Sequence, residues 1–200
     1  LDRIRSGGEG SLTAGQQRQL TLFLREKVTK DPASLSPAEH NALSTMDPRF
    51  YNDYVANPGQ GNRNPVNVDG YYFMRRDQSV TGQVHHLNQD AAFRGVIPRD
   101  DGLCVELHGN AFSEVDSEHY RAHNSMEQFW DQYRVGGEYC DRKPTVGQYN
   151  RALQDSLVRA GFTQDQARFA VEQAAAQQRR YGLTDASPVP RVPGRINQGR

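Results

Sequence analysis

Signals for the start of an α-helix stand at both ends of this sequence, and they constrain its fold more than any other feature. In a capping box, a Ser or Thr and a Glu or Gln three residues later each accept a hydrogen bond from the other's backbone N–H group. Thr13 with Gln16, Ser36 with Glu39, and Thr163 with Gln166 have this spacing, and Thr145 is predicted to begin a further helix. Apolar residues follow each pair at helical spacing. The first and last thirds of the chain are therefore predicted to be helical.

The middle of the chain has a different pattern. Short apolar and aromatic runs, bounded by turn residues, predict strands at 71–74, 83–87 and 103–107. Ser117 then predicts the N-cap of a helix that continues to about Arg134. Together these elements predict an α+β fold that is mostly helical.

Three regions are expected along the chain. Residues 1–78 form an N-terminal helical region that ends in a loop rich in Asn, Gly and Pro at 57–70. Residues 79–135 form the core, with strands and one helix. Residues 136–200 form a helical hairpin followed by a basic, Pro-rich tail, which is predicted to be extended or poorly ordered.

Charge is unevenly distributed, although the formal net charge of the 200 residues is zero. Segment 79–140 carries 4 basic and 10 acidic side chains, whereas segment 141–200 carries 10 basic and 5 acidic ones. The zero balance argues against a uniformly basic nucleic-acid binder, yet the C-terminal arginines could still contact phosphates. No apolar run approaches the ~20 residues that span a bilayer, and two cysteines do not make a disulfide scaffold.

Four of the six histidines form two pairs within the acidic segment. His85 and His86 are adjacent on a predicted strand. His119 and His123 are four residues apart on the predicted helix, so both imidazoles lie on one face and can reach one metal ion. They border the stripe that is predicted to face the core, formed by Ala122, Met126, Phe129, Trp130 and Tyr133. The two pairs together predict a metal site.

An adjacent His pair, a later Asn and two helical histidines four apart resemble the HNH, or ββα-metal (His-Me finger), nuclease motif, and the DNase colicins have a similar pattern. The resemblance covers about residues 79–135 and implies a central ββα-metal finger between the N- and C-terminal helices. It implies that His85, His119 and His123 bind the metal and that His86 is the general base.

The central Asn of that motif corresponds to Asn110, which the resemblance implies supports the finger and orients the base. The step from His86 to Asn110 is long, so an insertion is expected between them. His108 is the alternative to Asn110, or a further metal ligand.

The resemblance extends to the C-terminal toxin domains of bacterial polymorphic toxins, including Rhs, type VI and contact-dependent effectors. It implies a metal-dependent DNA endonuclease that acts as an antibacterial toxin in interbacterial competition. The chain begins with Leu and lacks a signal-peptide pattern, so we expect a domain released from a parent delivery protein. The implied partners are DNA, that delivery protein and a cognate immunity protein, with no membrane. A secretion system would deliver the toxin to the target-cell cytoplasm.

These residue types suit phosphodiester hydrolysis. A neutral imidazole takes a proton from water near neutral pH, and a cation polarises the phosphate. Three imidazoles favour bound Zn²⁺ or Ni²⁺, with Mg²⁺ or Mn²⁺ as the alternative in catalysis. The arginines predicted to contact the substrate are Arg121, Arg179, Arg180, Arg191 and Arg195.

A second interpretation fits part of the sequence. Cys104, His108, His119 and His123 have the general pattern of a four-ligand structural zinc site. This pattern predicts a nucleic-acid-binding or protein-binding module without catalysis, and it gives the adjacent histidine pair no role. A cysteine hydrolase and an inactive helical adaptor are further alternatives.

Overall fold

The computed structural model describes residues 12–51, 55–56 and 66–195. The chain divides into two compact units, 1–63 and 64–200. Helices predominate, and the second unit contains a small antiparallel sheet. This architecture confirms the predicted α+β, mostly helical fold. Residues 64–78, which we predicted to belong to the N-terminal region, fall in the second unit, because a strand within them pairs with the sheet there.

The described α-helices of the first unit are α1 (Ala14–Lys30), α2 (Pro37–Met46) and α3 (Pro48–Tyr51), with a 3₁₀ turn at Pro32–Ser34. Thr13 and Ser36 are the N-caps of α1 and α2, and both predicted capping boxes are present. The buried apolar cluster of this unit comprises Leu24, Val28, Leu35 and Leu43. Residues 57–65 of the predicted loop lie outside the described residues.

The sheet of the second unit has the strand order β1-β3-β2. Its strands are β1 (Val68–Gly70), β2 (Gln83–His86) and β3 (Leu103–Leu107). Both pairings are antiparallel, and β2 aligns His85 with Val105 and His86 with Cys104. Because successive side chains of a strand alternate, His85 and His86 project from opposite faces of β2. The strands predicted at 83–87 and 103–107 are confirmed.

Two predictions between residues 57 and 74 are wrong. Val68–Gly70 is strand β1 rather than loop, and Tyr71–Met74 is a short helix, α4, rather than a strand. The Tyr71 N–H donates to the Gly102 carbonyl at 2.9 Å, after which the chain turns and buries Met74. A four-residue apolar run fits a strand and a buried helical turn equally well, so packing decides between them.

The remaining helices surround the sheet. Helix α5 (Asp90–Phe93) and a 3₁₀ turn at Arg99–Asp101 precede β3, and α6 (Glu118–Asp131), α7 (Val146–Ala160) and α8 (Gln164–Arg180) follow it. Ser117, Thr145 and Thr163 are the N-caps of these last three helices, as predicted. Helix α7 packs between α6 and α8, and α8 also contacts β3. None of the described helices has both the length and the apolar character that a bilayer span requires.

The described part of the C-terminal tail, up to residue 195, contains no helix and no strand of the sheet, and hydrogen bonds fix it to the second unit. The Val189 N–H donates to the Pro144 carbonyl at 2.9 Å, and the Arg191 N–H donates to the Ala92 carbonyl at 3.0 Å. The Val189 side chain is fully buried in the core. The Pro-rich segment up to residue 195 is therefore part of the folded unit.

Candidate metal centre

Three of the predicted ligands meet between the sheet and helix α6. The ring centroid of His85 lies 5.1 Å from that of His119 and 5.0 Å from that of His123, and the latter two lie 4.8 Å apart. One ring nitrogen of each histidine lies within 4.8 Å of the other two, close enough to bind one metal ion. His85 and His119 are buried, and His123 is half-buried.

The loop between β3 and α6 determines where the two helical histidines lie. The His119 N–H donates to the His108 carbonyl at 3.1 Å, and the Glu118 carboxylate accepts from the His108 N–H at 2.9 Å. Gly109 has a φ of +81°, and a Cβ there would lie 2.2 Å from the Cβ of Ser117. Glycine is therefore required where the loop crosses the N-cap of α6.

Gln83 orients the ring of His119. Its Oε1 lies 2.6 Å from His119 Nδ1. In this orientation the amide oxygen can only accept, so Nδ1 carries the proton and Nε2 keeps its lone pair. His119 Nε2 lies 3.1 Å from His123 Nε2. Two nitrogen ligands of one tetrahedral zinc ion are about 3.3 Å apart, so this spacing fits a shared ion.

Sequence reasoning missed Gln83. It stands two residues before His85 on β2, so both side chains lie on the same face of the strand. A polar residue at that spacing from a predicted ligand is the signal that could have identified it, because metal-binding histidines usually donate their second N–H to an oxygen.

Burial keeps the three imidazoles neutral. It lowers the pKa of His85 well below its ordinary value, and it lowers the pKa of His119 and of His123 to about 4. The neighbouring histidines further disfavour a charge on His85 and His119. No carboxylate among the described residues joins this group. A cluster of neutral imidazoles without a counter-charge has its lone pairs available for a cation.

Two nitrogens of the cluster are buried without a partner in the described chain, His85 Nε2 and His123 Nδ1. An unsatisfied buried polar atom costs about 1–3 kcal/mol. Folded proteins pair nearly all such atoms, and the exceptions mark catalytic sites or places that an ordered water or an ion occupies. The donor set and the unpaired Nε2 of His85 thus both fit a metal ion, whereas His123, whose Nε2 lies beside His119 Nε2, can offer that ion only one of its two nitrogens.

His86 occupies a different environment on the other face of β2. Its ring stacks on Tyr71 with a centroid distance of 4.4 Å, and its Nε2 lies 3.1 Å from the Arg99 carbonyl oxygen. A carbonyl only accepts, so Nε2 carries the proton and Nδ1 holds the lone pair. Burial lowers the pKa of His86, which keeps the ring neutral at pH 7. The predicted base is therefore a neutral imidazole outside the three-histidine cluster.

Asn110 and His108 also lie outside the cluster. The Asn110 Oδ1 accepts from the N–H groups of Phe112 and Ser113 at 2.8 and 3.1 Å, so this side chain folds the loop after β3. His108 is exposed, and its backbone rather than its ring contacts the start of α6.

The predicted substrate arginines are in three different situations. Arg121 donates to the Asp116 carbonyl and, at 2.7 Å each, to the last two carbonyls of α7, so it caps that helix. Arg195 donates to Asp131 Oδ2 at 2.8 Å. Arg179, Arg180 and Arg191 are exposed at the surface, as Arg195 also is.

The four residues of the structural-zinc interpretation do not come together. Cys104 is buried, and its side chain lies with His86 on the face of the sheet opposite His85. Its thiol is 3.4 Å from the Gly102 carbonyl oxygen. Within the described chain, neither Cys104 nor His108 belongs to the histidine group.

Comparison with known proteins adds nothing to this geometry. No protein-family profile, curated protein or solved structure matches the chain. The site is defined by its own arrangement, in which two antiparallel strands and the following helix bring three imidazoles to one point.

Proposed function

We propose that this protein is a metal-dependent DNA endonuclease of the ββα-metal type that acts as an antibacterial toxin. The convergence of three neutral imidazoles from β2 and α6, two of them buried and one half-buried, carries this proposal. The chain order supports it, because the strand with the His pair, a second strand and the helix with two histidines follow one another as in the motif that the sequence resembles.

The donor set favours a divalent cation of intermediate softness. Three imidazoles without a carboxylate suit Zn²⁺ or Ni²⁺ better than Mg²⁺, and Mn²⁺ is intermediate. Three protein ligands leave a coordination position for a substrate oxygen. When bound, the cation would polarise the phosphodiester and stabilise the negative charge of the leaving 3′ oxygen.

His86 is the proposed general base. Its Nδ1 lone pair takes a proton from the attacking water, and the Arg99 carbonyl stabilises the imidazolium that results through the Nε2–H bond. Among the described strands, β2 is at an edge of the sheet and pairs with β3. A phosphodiester that lies across this edge can reach His86 on one face and the histidine cluster on the other.

The role as a toxin rests on the resemblance of the sequence. A nuclease that attacks any DNA requires a cognate immunity protein in the producing cell and a parent protein that carries it into the target-cell cytoplasm. Growth arrest with DNA loss on expression in the bacterial cytoplasm, absent in the His86→Ala variant, is the result expected of such a toxin.

Plasmid cleavage by the purified protein tests the activity. The wild type, His86→Ala and His119→Ala are each incubated with Zn²⁺, Ni²⁺, Mg²⁺, Mn²⁺ or EDTA. We expect metal-dependent nicking or linearisation by the wild type, none in EDTA, and a rate about 10²–10⁴-fold lower for His86→Ala. His40→Ala is the matched control, because His40 lies in the first unit and contacts Tyr51.

Two outcomes would contradict the proposal. One is the absence of cleavage of plasmid with any of the four metals although the protein binds zinc stoichiometrically. The other is an undiminished rate for both His86→Ala and His119→Ala. Cleavage of RNA but not of DNA would keep the site and change the substrate.

A further inference from the structure

We propose that a cluster of tyrosines and arginines beside His86 binds the phosphate backbone of the nucleic-acid substrate. This arginine–tyrosine patch comprises Tyr71, Tyr72, Arg75, Arg76 and Arg99. This inference rests on the proposed function and extends it, because it assigns the surface that holds the substrate strand next to the general base His86.

Tyr71 connects the base to two guanidinium groups. Its ring stacks on His86 at 4.4 Å, while the guanidinium carbons of Arg75 and Arg99 lie 5.4 and 4.9 Å from its centroid. Arg99 Nη2 also donates to the Tyr71 hydroxyl at 2.8 Å. These contacts fix two positive charges close to the His86 ring.

The second half of the patch has the same construction. The guanidinium carbon of Arg76 lies 3.8 Å from the centroid of the Tyr72 ring, and its Nη1 donates to the Tyr72 carbonyl at 2.9 Å. Because guanidinium groups contact both tyrosine rings, the patch presents N–H donors more than open ring faces. Such a surface recognises phosphate oxygens rather than stacked bases.

The positive charge of the patch is not neutralised locally. Arg75, Arg76 and Arg99 are exposed, and none of them forms an ion pair with a described carboxylate. Other arginines of the second unit are paired, for example Arg94 with Asp90 and Arg168 with Asp165.

The acids that follow the patch residues in the chain make other contacts. Asp77, next to Arg76, accepts from the backbone and the hydroxyl of Ser79 at 2.8 and 2.7 Å. Asp101 accepts from the Tyr181 hydroxyl at 3.1 Å. Asp100 lies near His86 and raises its pKa slightly against the larger effect of burial. The three guanidinium groups thus remain the charged donors that face an incoming phosphate.

The position of the patch suits a strand of nucleic acid that crosses the edge of the sheet. Tyr71, Arg75 and Arg99 lie on the His86 face of β2, and the histidine cluster lies on the other face. Phosphates on one side of the scissile bond would bind the arginines while the reacting phosphate reaches the edge. Contacts of this kind are independent of sequence and sensitive to salt.

Fluorescence anisotropy of a labelled DNA duplex in EDTA tests the patch without cleavage. The variant replaces Arg75, Arg76 and Arg99 with Gln, and the control replaces Arg94, Arg151 and Arg168 with Gln, so each protein has three fewer positive charges. We expect the patch variant to bind about tenfold or more weakly at 0.1 M salt. Its slope of log K against log salt should fall by about 0.9 for each phosphate that the variant no longer binds. The control should keep the wild-type slope.

Equal slopes for the wild type and the patch variant would overturn the inference, provided that the variant keeps the wild-type circular dichroism spectrum and the wild-type thermal shift with Zn²⁺. A single-stranded DNA and an RNA duplex of the same length, assayed in parallel, identify the form of nucleic acid that the patch prefers. If the duplex binds through the patch but no metal supports cleavage, the patch stands and the proposed nuclease fails. If the wild type and the patch variant cleave and bind alike, the nuclease stands and the patch fails.

Discussion

Two groups of buried polar side chains in the second unit differ in how completely they are hydrogen bonded. One is an amide network between β2, β3, α7 and α8, formed by Asn88, Asn150, Gln177 and Gln178. The other is the cluster of His85, His119 and His123. Both are largely buried, but only the first satisfies its own polar atoms.

The amide network closes on itself. Gln178 donates to Asn88 at 2.7 Å and to Asn150 at 2.8 Å, and it accepts from Asn150 at 2.9 Å. Gln177 accepts from the N–H of Leu103 at 3.1 Å and donates to the Asp101 carbonyl at 2.6 Å, which anchors β3 to α8. A fully paired network stabilises one arrangement of the fold, and it requires no ligand to satisfy its polar atoms.

The histidine cluster is paired on one side only. Gln83 satisfies His119 Nδ1, whereas His85 Nε2 and His123 Nδ1 have no partner in the described chain. Its residues are also titratable, while those of the amide network are not. The difference indicates that the amides support the structure and that the histidines are available to bind a ligand. Acid, zinc and substitutions should therefore affect the two groups differently.

The largest expected effect is on acid stability without metal. The pKa of His119 and of His123 is about 4 in the fold and near 6.5 in an unfolded chain. Between these values the unfolded chain binds more protons, so stability in EDTA is unchanged above pH 6.5 and falls as the pH drops toward 4, by an amount on the order of several kcal/mol. Urea unfolding at pH 7 and pH 4.5 measures it. The loss of stability between pH 7 and pH 4.5 should be smaller in His123→Leu than in the wild type, and Gln178→Ala should show the wild-type loss. Equal losses in the wild type and both variants would show that the cluster does not titrate between these pH values.

Breaking the amide network should cost about 3 kcal/mol at neutral pH. Gln178→Ala removes most of a buried side chain, and it leaves Asn88 Oδ1 and the side-chain amide of Asn150 without their partners. Gln173→Ala, a half-buried position on the same helix, is the control and should change stability by less than about 0.5 kcal/mol. Zn²⁺ should stabilise Gln178→Ala as much as the wild type. A variant that lost its response to zinc would show that the two groups are not separate.

Replacement of a cluster histidine should have the opposite effect: it should leave the metal-free stability nearly unchanged and abolish the stability gained with zinc. His123→Leu removes the unpaired buried Nδ1 but also the 3.1 Å contact of Nε2 with His119 Nε2, and because these two effects offset, the metal-free protein should be about as stable as the wild type. In the wild type, Zn²⁺ at 100 times its Kd should add about 2.7 kcal/mol, and this gain should disappear in the variant. Thermal unfolding with and without zinc gives both values. His108→Ala, which alters an exposed histidine, should keep the full gain. A large loss of metal-free stability in His123→Leu would make the cluster structural.

The sequence predicts the parts of this comparison that depend on local signals. The N-caps at Thr145 and Thr163 and the spacing of His119 and His123 are read over three or four residues, so the helices and their shared histidine face could be predicted. The hydrogen bond from Gln178 to Asn88 joins residues 90 positions apart. No local pattern marks such a pair, because its members become neighbours only when α8 packs on the sheet.

The separation of His85 from His86 illustrates the same limit within the site. The alternation of a strand places adjacent side chains on opposite faces, but the surroundings of each face are formed by distant elements. Tyr71, which stacks on His86, belongs to a segment that was predicted as a strand and is a helix. The Arg99 carbonyl that orients His86 comes from a turn 13 residues away. The residue types of the site were predictable, and their partners were not.

The smallest effect is expected at Gln83, which contacts the cluster without belonging to it. Gln83→Leu removes the oxygen that fixes the proton of His119 on Nδ1, so the lone pair at Nε2 is no longer enforced. Zinc should then bind about 10–100-fold more weakly, while metal-free stability changes little because Gln83 is exposed. Gln83→Glu keeps an acceptor at the same place and should retain most of the affinity. Competition with a chromogenic chelator measures all three proteins. If Gln83→Leu bound zinc as tightly as the wild type and more tightly than Gln83→Glu, packing alone would orient the His119 ring. The contrast with the amide network would then rest on His85 and His123.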